Sequence, residues 1–277
     1  MQLNSEIKIA VVNSYLAGGH KNTAEVEACE RFLKSCDNLG VQGEIFSSNY
    51  QAAEWAPDLI ILHTYQDPKL TNIQTIGTLT MPRCWVENTP RLMRNILSYD
   101  GFISITEQTK EWVTEFSKAN NKKLNIIHAA FSCPSKQYRK LRLDKALGIY
   151  VGTNWNTGRH SGLFEAFFRS KAPIKIFGPR VKWEGIPSSH YGGEIPFDGH
   201  AIYSAYQKAG IGLCLNHPDF DDEQIPTSRV FEIPASSAVM IAAKHSIANK
   251  LYGDTAFYFD STLSSGGSAS QIKDIVN

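Results

Sequence analysis

Charge of either sign is not in excess: 28 lysines and arginines stand against 27 aspartates and glutamates over 277 residues. Nothing in the electrostatics therefore asks for a nucleic acid or an anionic membrane surface as partner. No apolar run approaches the length that spans a bilayer, and the start, Met1 to Glu6, lacks a basic segment followed by an apolar one. The cysteines (Cys29, Cys36, Cys84, Cys133, Cys214) are odd in number and show no C-x-x-C spacing, which fits reduced thiols in the cytoplasm and gives zinc no ligand set. The dinucleotide fingerprint G-x-G-x-x-G is missing, as is any repeat or long low-complexity tract. These absences leave a soluble, cytoplasmic protein long enough for two domains, with no integral membrane segment, in which phosphate binding must be local.

What is present is alternation of strand and helix. Ile7–Asn13 is a nearly continuous apolar run, as expected of a central parallel strand covered on both faces. A glycine loop, Gly18-Gly19-His20, follows it, and then a helix from Asn22 to Leu39 with Ala24, Ala28, Phe32 and Leu33 at helical spacing and a stop at Gly40. Further strands are predicted at Gly43–Ser47, Asp58–His63, Arg83–Val86, Gly101–Thr106 and Leu124–His128, with a helix over Glu107–Ala119. In a doubly wound sheet ligands bind at the carboxyl ends of strands, here His63, Glu87 and Thr106. His20 is a loop histidine able to act as a base. Glu87-Asn88-Thr89-Pro90 reads either as a carboxylate facing the crevice or as the start of a helix with Pro90 in its first turn.

Between Phe131 and Lys145 the pattern breaks into a polar, basic segment, the predicted linker between domains 1–135 and 145–277. The alternation then restarts with a strand at Ala146–Val151, a polar loop from Gly152 to Arg159, a helix over His160–Ser170 and a strand at Ile174–Phe177. The loop combines glycines, the hydroxyl of Thr153 and the guanidinium of Arg159, a composition suited to a diphosphate. Gly178–Phe197 reads as irregular, Asp198 as the cap of a helix running through Lys208 to Gly210, and Ile211–Leu215 as a strand. Strands at Val239–Ala242 and Ala256–Phe259 and a Ser/Gly-rich segment, Ser261–Ser270, complete the chain.

The chemistry concentrates between Thr227 and Ala238. A helix start there offers unpaired N–H groups at Thr227 and Ser228, Arg229 adds a forked cation, and Glu232 lies one turn on, suited to hydroxyls rather than to phosphate. The pair reads as phosphate plus sugar, or else as an exposed i, i+3 ion pair. Upstream, Asn216 to Glu223 should line the same crevice. Its Asp219-x-Asp221 resembles a metal-binding D-x-D, but that signature belongs to single-domain, metal-dependent sugar transferases, and two Rossmann-like units argue against it.

Two tandem Rossmann-like units facing across a cleft resemble the GT-B fold of nucleotide-sugar-dependent glycosyltransferases. Ser228 through Ala238 is similar to the R-x-[FL]-E-x-x-A-x-G segment of group 1 glycosyltransferases, especially the CgeB-like (spore maturation protein-like) branch. Tyr206 to Asn216, Tyr150-Val151-Gly152 and Trp85 to Pro90 resemble further segments of that branch.

The resemblance implies an acceptor domain followed by a donor domain. It implies a donor site at Gly152, Thr153, Arg159, Asn216, Thr227, Ser228, Arg229 and Glu232, with Glu232 on the ribose. The departing diphosphate would be stabilised by Arg229, Arg159 and the helix start without a metal or other cofactor, and the acceptor hydroxyl of a glycan, lipid or protein activated by His20 or Glu87. Three features depart from the family pattern. The position eight before Glu232 is Gln224, not the first glutamate of E-x7-E; the usual glycine is replaced within Ala235-Ser236-Ser237-Ala238; and the long C-terminal helix is not evident before Asn277. A non-catalytic nucleotide-binding or assembly protein and a sugar-nucleotide epimerase of the same fold are the alternatives.

Overall fold

The structure, a computed structural model, describes residues 7–19, 23–128, 147–154 and 160–276. The chain forms two compact units, Met1–Ser132 and Cys133–Asn277. The predicted linker and the residues His20 and Arg159 lie outside the described residues.

The first unit runs β1 (Lys8–Val12), α1 (Ala24–Leu39), β2 (Gln42–Phe46), α2 (Asn49–Glu54), β3 (Leu59–Leu62), β4 (Thr75–Leu79), α3 (Arg83–Val86), α4 (Pro90–Ser98), β5 (Gly101–Ser104), α5 (Glu107–Ala119) and β6 (Asn125–His128). Its strands pair in parallel in the order β2-β1-β3-β4-β5-β6. Thr23 caps α1, its hydroxyl accepting from the Val26 N–H, and Gly40 closes it at φ 70°. The buried side of α1 carries Val26, Cys29 and Cys36 rather than the predicted Ala24, which is exposed.

One strand predicted in this unit fails and another was missed. Arg83–Val86 is a helix, and the strand beside β3 and β5 is Thr75–Leu79 instead. Cys-Trp-Val carries β-propensity, but four residues are too few for propensity to decide, and Pro82, the N-cap of the turn, has no N–H to join a ladder. β4 alternates buried Thr75, Gly77 and Leu79 with half-buried neighbours. Gly77 has no room for a side chain, since a Cβ would lie 2.3 Å from the Tyr99 ring. Tyr99 is fully buried, packs 5.4 Å from Phe102 and donates its hydroxyl proton to the Asp67 carbonyl at 2.6 Å.

The second unit runs β7 (Leu147–Val151), α6 (Ser161–Ser170), β8 (Ile174–Phe177), β9 (Tyr191–Gly193), α7 (Ala201–Ala209), β10 (Gly210–Cys214), α8 (Pro218–Asp222), α9 (Arg229–Ala235), β11 (Val239–Ala243), α10 (Ile247–Tyr252), β12 (Phe257–Phe259) and α11 (Ser265–Val276). Its parallel order is β12-β11-β10-β7-β8-β9. The N-cap of α7 is His200 rather than the predicted Asp198, which stands two residues earlier and whose Oδ1 accepts from the N–H groups of His200 and Ala201; Gly210 ends that helix, as predicted, at φ 83°.

β9, inside the segment read as irregular, and α11, which begins in the Ser/Gly-rich segment and runs beyond it, were not foreseen. β9 is three residues long and includes two glycines, too little for a pattern. α11 buries Ser268, Ala269, Ile272 and Val276, a helical stripe that small residues hide from a hydropathy reading.

Candidate functional site

In the second sheet β7 lies between β10 and β8, so successive crossovers leave it in opposite directions. A crevice opens at the carboxyl ends of strands at such a reversal. The residues there are Val151 at the end of β7 with Gly152 beyond it, and Leu215 and Asn216 beyond β10. Arg229, the first residue of α9, reaches both strand ends: Nη1 donates to the Val151 carbonyl and Nη2 to the Leu215 carbonyl, each at 3.1 Å. Its guanidinium lies 5.2 Å from the centre of the Tyr150 ring, a cation–π contact. Arg229 Nε is buried and has no hydrogen-bond partner among the described residues.

Glu232, one turn further, is only 6% exposed. That burial, with the inward bonds of Arg229, removes the reading of the two as an exposed ion pair. α9 is short because Pro234 supplies no N–H and the chain turns out at Ser236. A helix of this length has little dipole, and Ser228 makes no side-chain capping bond. The local positive charge is therefore that of Arg229 rather than of the helix start. Counting on from Arg229, the motif's glycine falls at Ser237, whose φ of 60° keeps the left-handed backbone a glycine would supply.

Asn216, buried, organises the loop beyond β10. Its Oδ1 accepts from Thr227 Oγ1 at 2.8 Å and its Nδ2 donates to Asp221 Oδ1 at 2.9 Å. Burial raises the Asp221 carboxyl above the usual range, the Asn216 N–H opposing and Asp222 adding to the shift. The Cys214 thiol is pushed up to about 12 by burial, against the pull of Arg229, so it is a neutral packing group. Burial likewise raises the Tyr206 hydroxyl, with Glu232 adding to it. Asp219 faces His217, 3.5 Å away, while Asp221 is turned to Asn216. Among the described residues no group of three or more His, Cys, Asp or Glu side chains is placed to share a metal ion. Gln224, in the position of the family's first glutamate, spends its amide on the carbonyls of Asp221 and His245, at 2.7 and 2.6 Å.

Gly152, Thr153 and Asn154 begin the predicted diphosphate loop. The Gly152 N–H donates to the Phe177 carbonyl at 3.0 Å, its carbonyl accepts from Trp183 Nε1 at 2.8 Å, and Asn154 Nδ2 donates to the Lys182 carbonyl at 3.3 Å. A Cβ at Gly152 would stand 3.0 Å from the Tyr150 hydroxyl and 3.1 Å from Arg229 Nη1. The structure thus brings Gly152, Asn216, Thr227, Arg229 and Glu232 to one end of one sheet. Sequence reasoning passed over Trp183, and it read Asp221 only as part of a D-x-D and Tyr150 only as part of a motif, not as the partners of Asn216 and Arg229. Trp183, an aromatic a few residues beyond a strand in a Gly-Pro-rich stretch, was the signal available.

In the first sheet the reversal lies between β1 and β3. His63 follows β3 there, and burial lowers its pKa, Glu25 opposing and Arg31 reinforcing. Thr106 caps α5, accepting from the Thr109 N–H at 3.0 Å. Glu87 does not follow a strand. It ends α3, pairs with Arg83 at 2.5 Å, and leads through Thr89 into α4 with Pro90 as the first residue, the helix-start alternative.

Residues 159–265, inside the second unit, match the family described as glycosyl transferase-like. No curated protein matches the chain. Solved structures do. HepE from Anabaena, in complex with UDP and glucose, aligns over 98% of this chain and 90% of its own with 11% identity and a TM-score of 0.61. The fold is that of GT-B glycosyltransferases. AviGT4, a glycosyltransferase involved in avilamycin A biosynthesis, shares this GT-B fold with 10% identity over 97% of this chain and 88% of its own, TM-score 0.56. A variant of S. aureus TarM, in complex with fondaparinux, α-GlcNAc-glycerol and UDP, matches 82% of this chain and 51% of its own with 12% identity and a TM-score of 0.58. No helix among the described residues is long and apolar enough to cross a membrane.

Proposed function

We propose that this chain is a glycosyltransferase of the CgeB-like branch, acting in the cytoplasm on a nucleotide-sugar donor and the hydroxyl of a glycan, lipid or protein acceptor. The observation that carries the reading is Arg229 at the sheet reversal of the second domain, bonded to the ends of both flanking strands with Glu232 buried one turn away. A fixed cation there stabilises the charge that grows on a departing nucleoside diphosphate. In the reaction the bond from the anomeric carbon to the diphosphate oxygen breaks, its electron pair leaves with the nucleotide, and the acceptor oxygen bonds to that carbon. The acceptor proton passes to a base of the first domain, His20 or, by its place at the reversal of the first sheet, His63; Glu87, paired with Arg83 at the end of α3, would have to give up that partner to serve. Gly152, Thr153, Arg159, Asn216, Thr227 and Ser228 complete the donor site, with Glu232 on the ribose. Because UDP is the nucleotide in complex with HepE and TarM, UDP-sugars are the first donors to test.

The test is nucleotide release from UDP-, GDP- and CMP-sugars, with and without an acceptor extract. Release that requires the extract is expected. Turnover of the donor alone would indicate an epimerase. Tight binding without turnover would favour a non-catalytic nucleotide-binding protein, the alternative that the carbonyl-bound Gln224 amide supports.

Transfer is expected to proceed without a divalent cation, because Arg229 and main-chain donors supply the charge stabilisation. Rates in EDTA should equal those in buffer. Loss of turnover on chelation, restored by manganese or magnesium, would promote Asp219 and Asp221 to a metal site.

A further inference from the structure

We infer that Trp183 is a positioning residue for the donor site: it sets the first residues of the loop after β7, through which the diphosphate of the proposed donor is held. The inference rests on the donor reading above, and Trp183 itself touches no ligand. It is 4% exposed, and its indole N–H donates to the Gly152 carbonyl at 2.8 Å across the gap between β7 and the segment after β8. The ring is locked edge-on against Tyr150 and Phe164, at 5.9 and 5.4 Å, and Tyr150 in turn lies under the Arg229 guanidinium.

The neighbouring backbone is shaped to allow this approach. Gly178 has φ 152°, and a Cβ there would lie 2.3 Å from the Gly152 carbonyl oxygen and 2.6 Å from Trp183 Nε1. Its own carbonyl accepts from the Tyr191 hydroxyl at 2.9 Å, and its N–H donates to the Gly193 carbonyl at 3.0 Å, so β9 backs the contact. Asn154 adds a second tie, to the Lys182 carbonyl. The Gly152 peptide is thus held from one side by Trp183 and from the other by Arg229, whose Nη1 bonds the preceding carbonyl of Val151. A main-chain carbonyl bonded to a rigid indole fixes the Gly152–Thr153 peptide and with it the Thr153 N–H, which is what the start of a loop needs to meet an anion without reorganising.

The test is calorimetric titration of wild-type protein, Trp183→Phe and Trp183→His with UDP, and with GDP and CMP as further arms, together with donor kinetics. Trp183→Phe keeps an aromatic ring but leaves the Gly152 carbonyl without its donor. Its Kd for the nucleotide and its KM for the donor should rise roughly tenfold, with the acceptor KM unmoved. Trp183→His, which retains a ring N–H, should recover part of the loss. A merely structural loss would lower the melting temperature and the active fraction, hence kcat, and leave Kd where it was. Wild-type protein that binds none of the nucleotides overturns the donor reading and this inference with it. Wild-type binding matched by Trp183→Phe overturns this inference alone.

Discussion

Replacing Arg229 with alanine is expected to destabilise the second domain by about 3 kcal/mol and to weaken nucleoside diphosphate binding at least a hundredfold. The guanidinium donates to the carbonyls of Val151 and Leu215 and lies over Tyr150. Hydrogen bonds from a charged donor contribute roughly 1.5–3 kcal/mol each, and truncation leaves both carbonyls in place without partners. Lysine should restore little, because a single ammonium on a flexible stem does not reproduce a planar fork that meets two carbonyls at once. Glu232→Gln should act differently, costing nucleoside and nucleoside diphosphate affinity alike through the ribose hydroxyls. Denaturant melts and calorimetric titration of both variants with uridine and UDP separate the two roles. An Arg229→Ala protein as stable as wild type would refute the clamp, and unchanged UDP affinity in a folded variant would sink the donor assignment.

The second large effect belongs to the other domain. Tyr99→Ala should cost about 3–5 kcal/mol, the range for emptying a buried aromatic position. The ring fills the space above Gly77, packs on Phe102, and its hydroxyl bonds the Asp67 carbonyl. Tyr99→Phe isolates the hydroxyl and should cost about 1 kcal/mol. The two domains have separate cores, one built on Ile60, Leu62, Ile96 and Phe102 and the other on Phe164, Phe167, Ile176 and Leu213. The loss should therefore appear in the unfolding of the first domain while UDP affinity stays within twofold. A UDP affinity that falls with the stability of Tyr99→Ala would mean that the donor site is not confined to the second domain.

Helix α5 was legible to the residue because Thr106 marks its start and its apolar positions repeat at helical spacing; α1 was legible at its end because Gly40 must adopt a left-handed backbone. Strand β4 was not, since Thr75-Ile76-Gly77-Thr78-Leu79 is diluted by a glycine whose purpose is to admit Tyr99, and that neighbour is invisible along the sequence. The same division runs through the site. Arg229 and Glu232 were readable as candidates because one local motif holds them together, and Asn216 because it ends a second. Trp183 was not, because its partner Gly152 lies 31 residues away on an adjoining strand end. What Arg229 bonds was hidden for the same reason: Val151 is 78 residues distant. Local chemistry shows in a sequence; contacts made by sheet registration do not.

Every strand pair among the described residues is parallel, with Ile9 against Leu59 in one sheet and Leu147 against Gly210 in the other. Among the described residues no hairpin is available to nucleate either domain, so long crossover loops must close before the central ladder bonds form. Such topologies fold slowly for their stability and expose strand edges while they do so. Refolding yield should accordingly depend on protein concentration more than on the final stability of the native state.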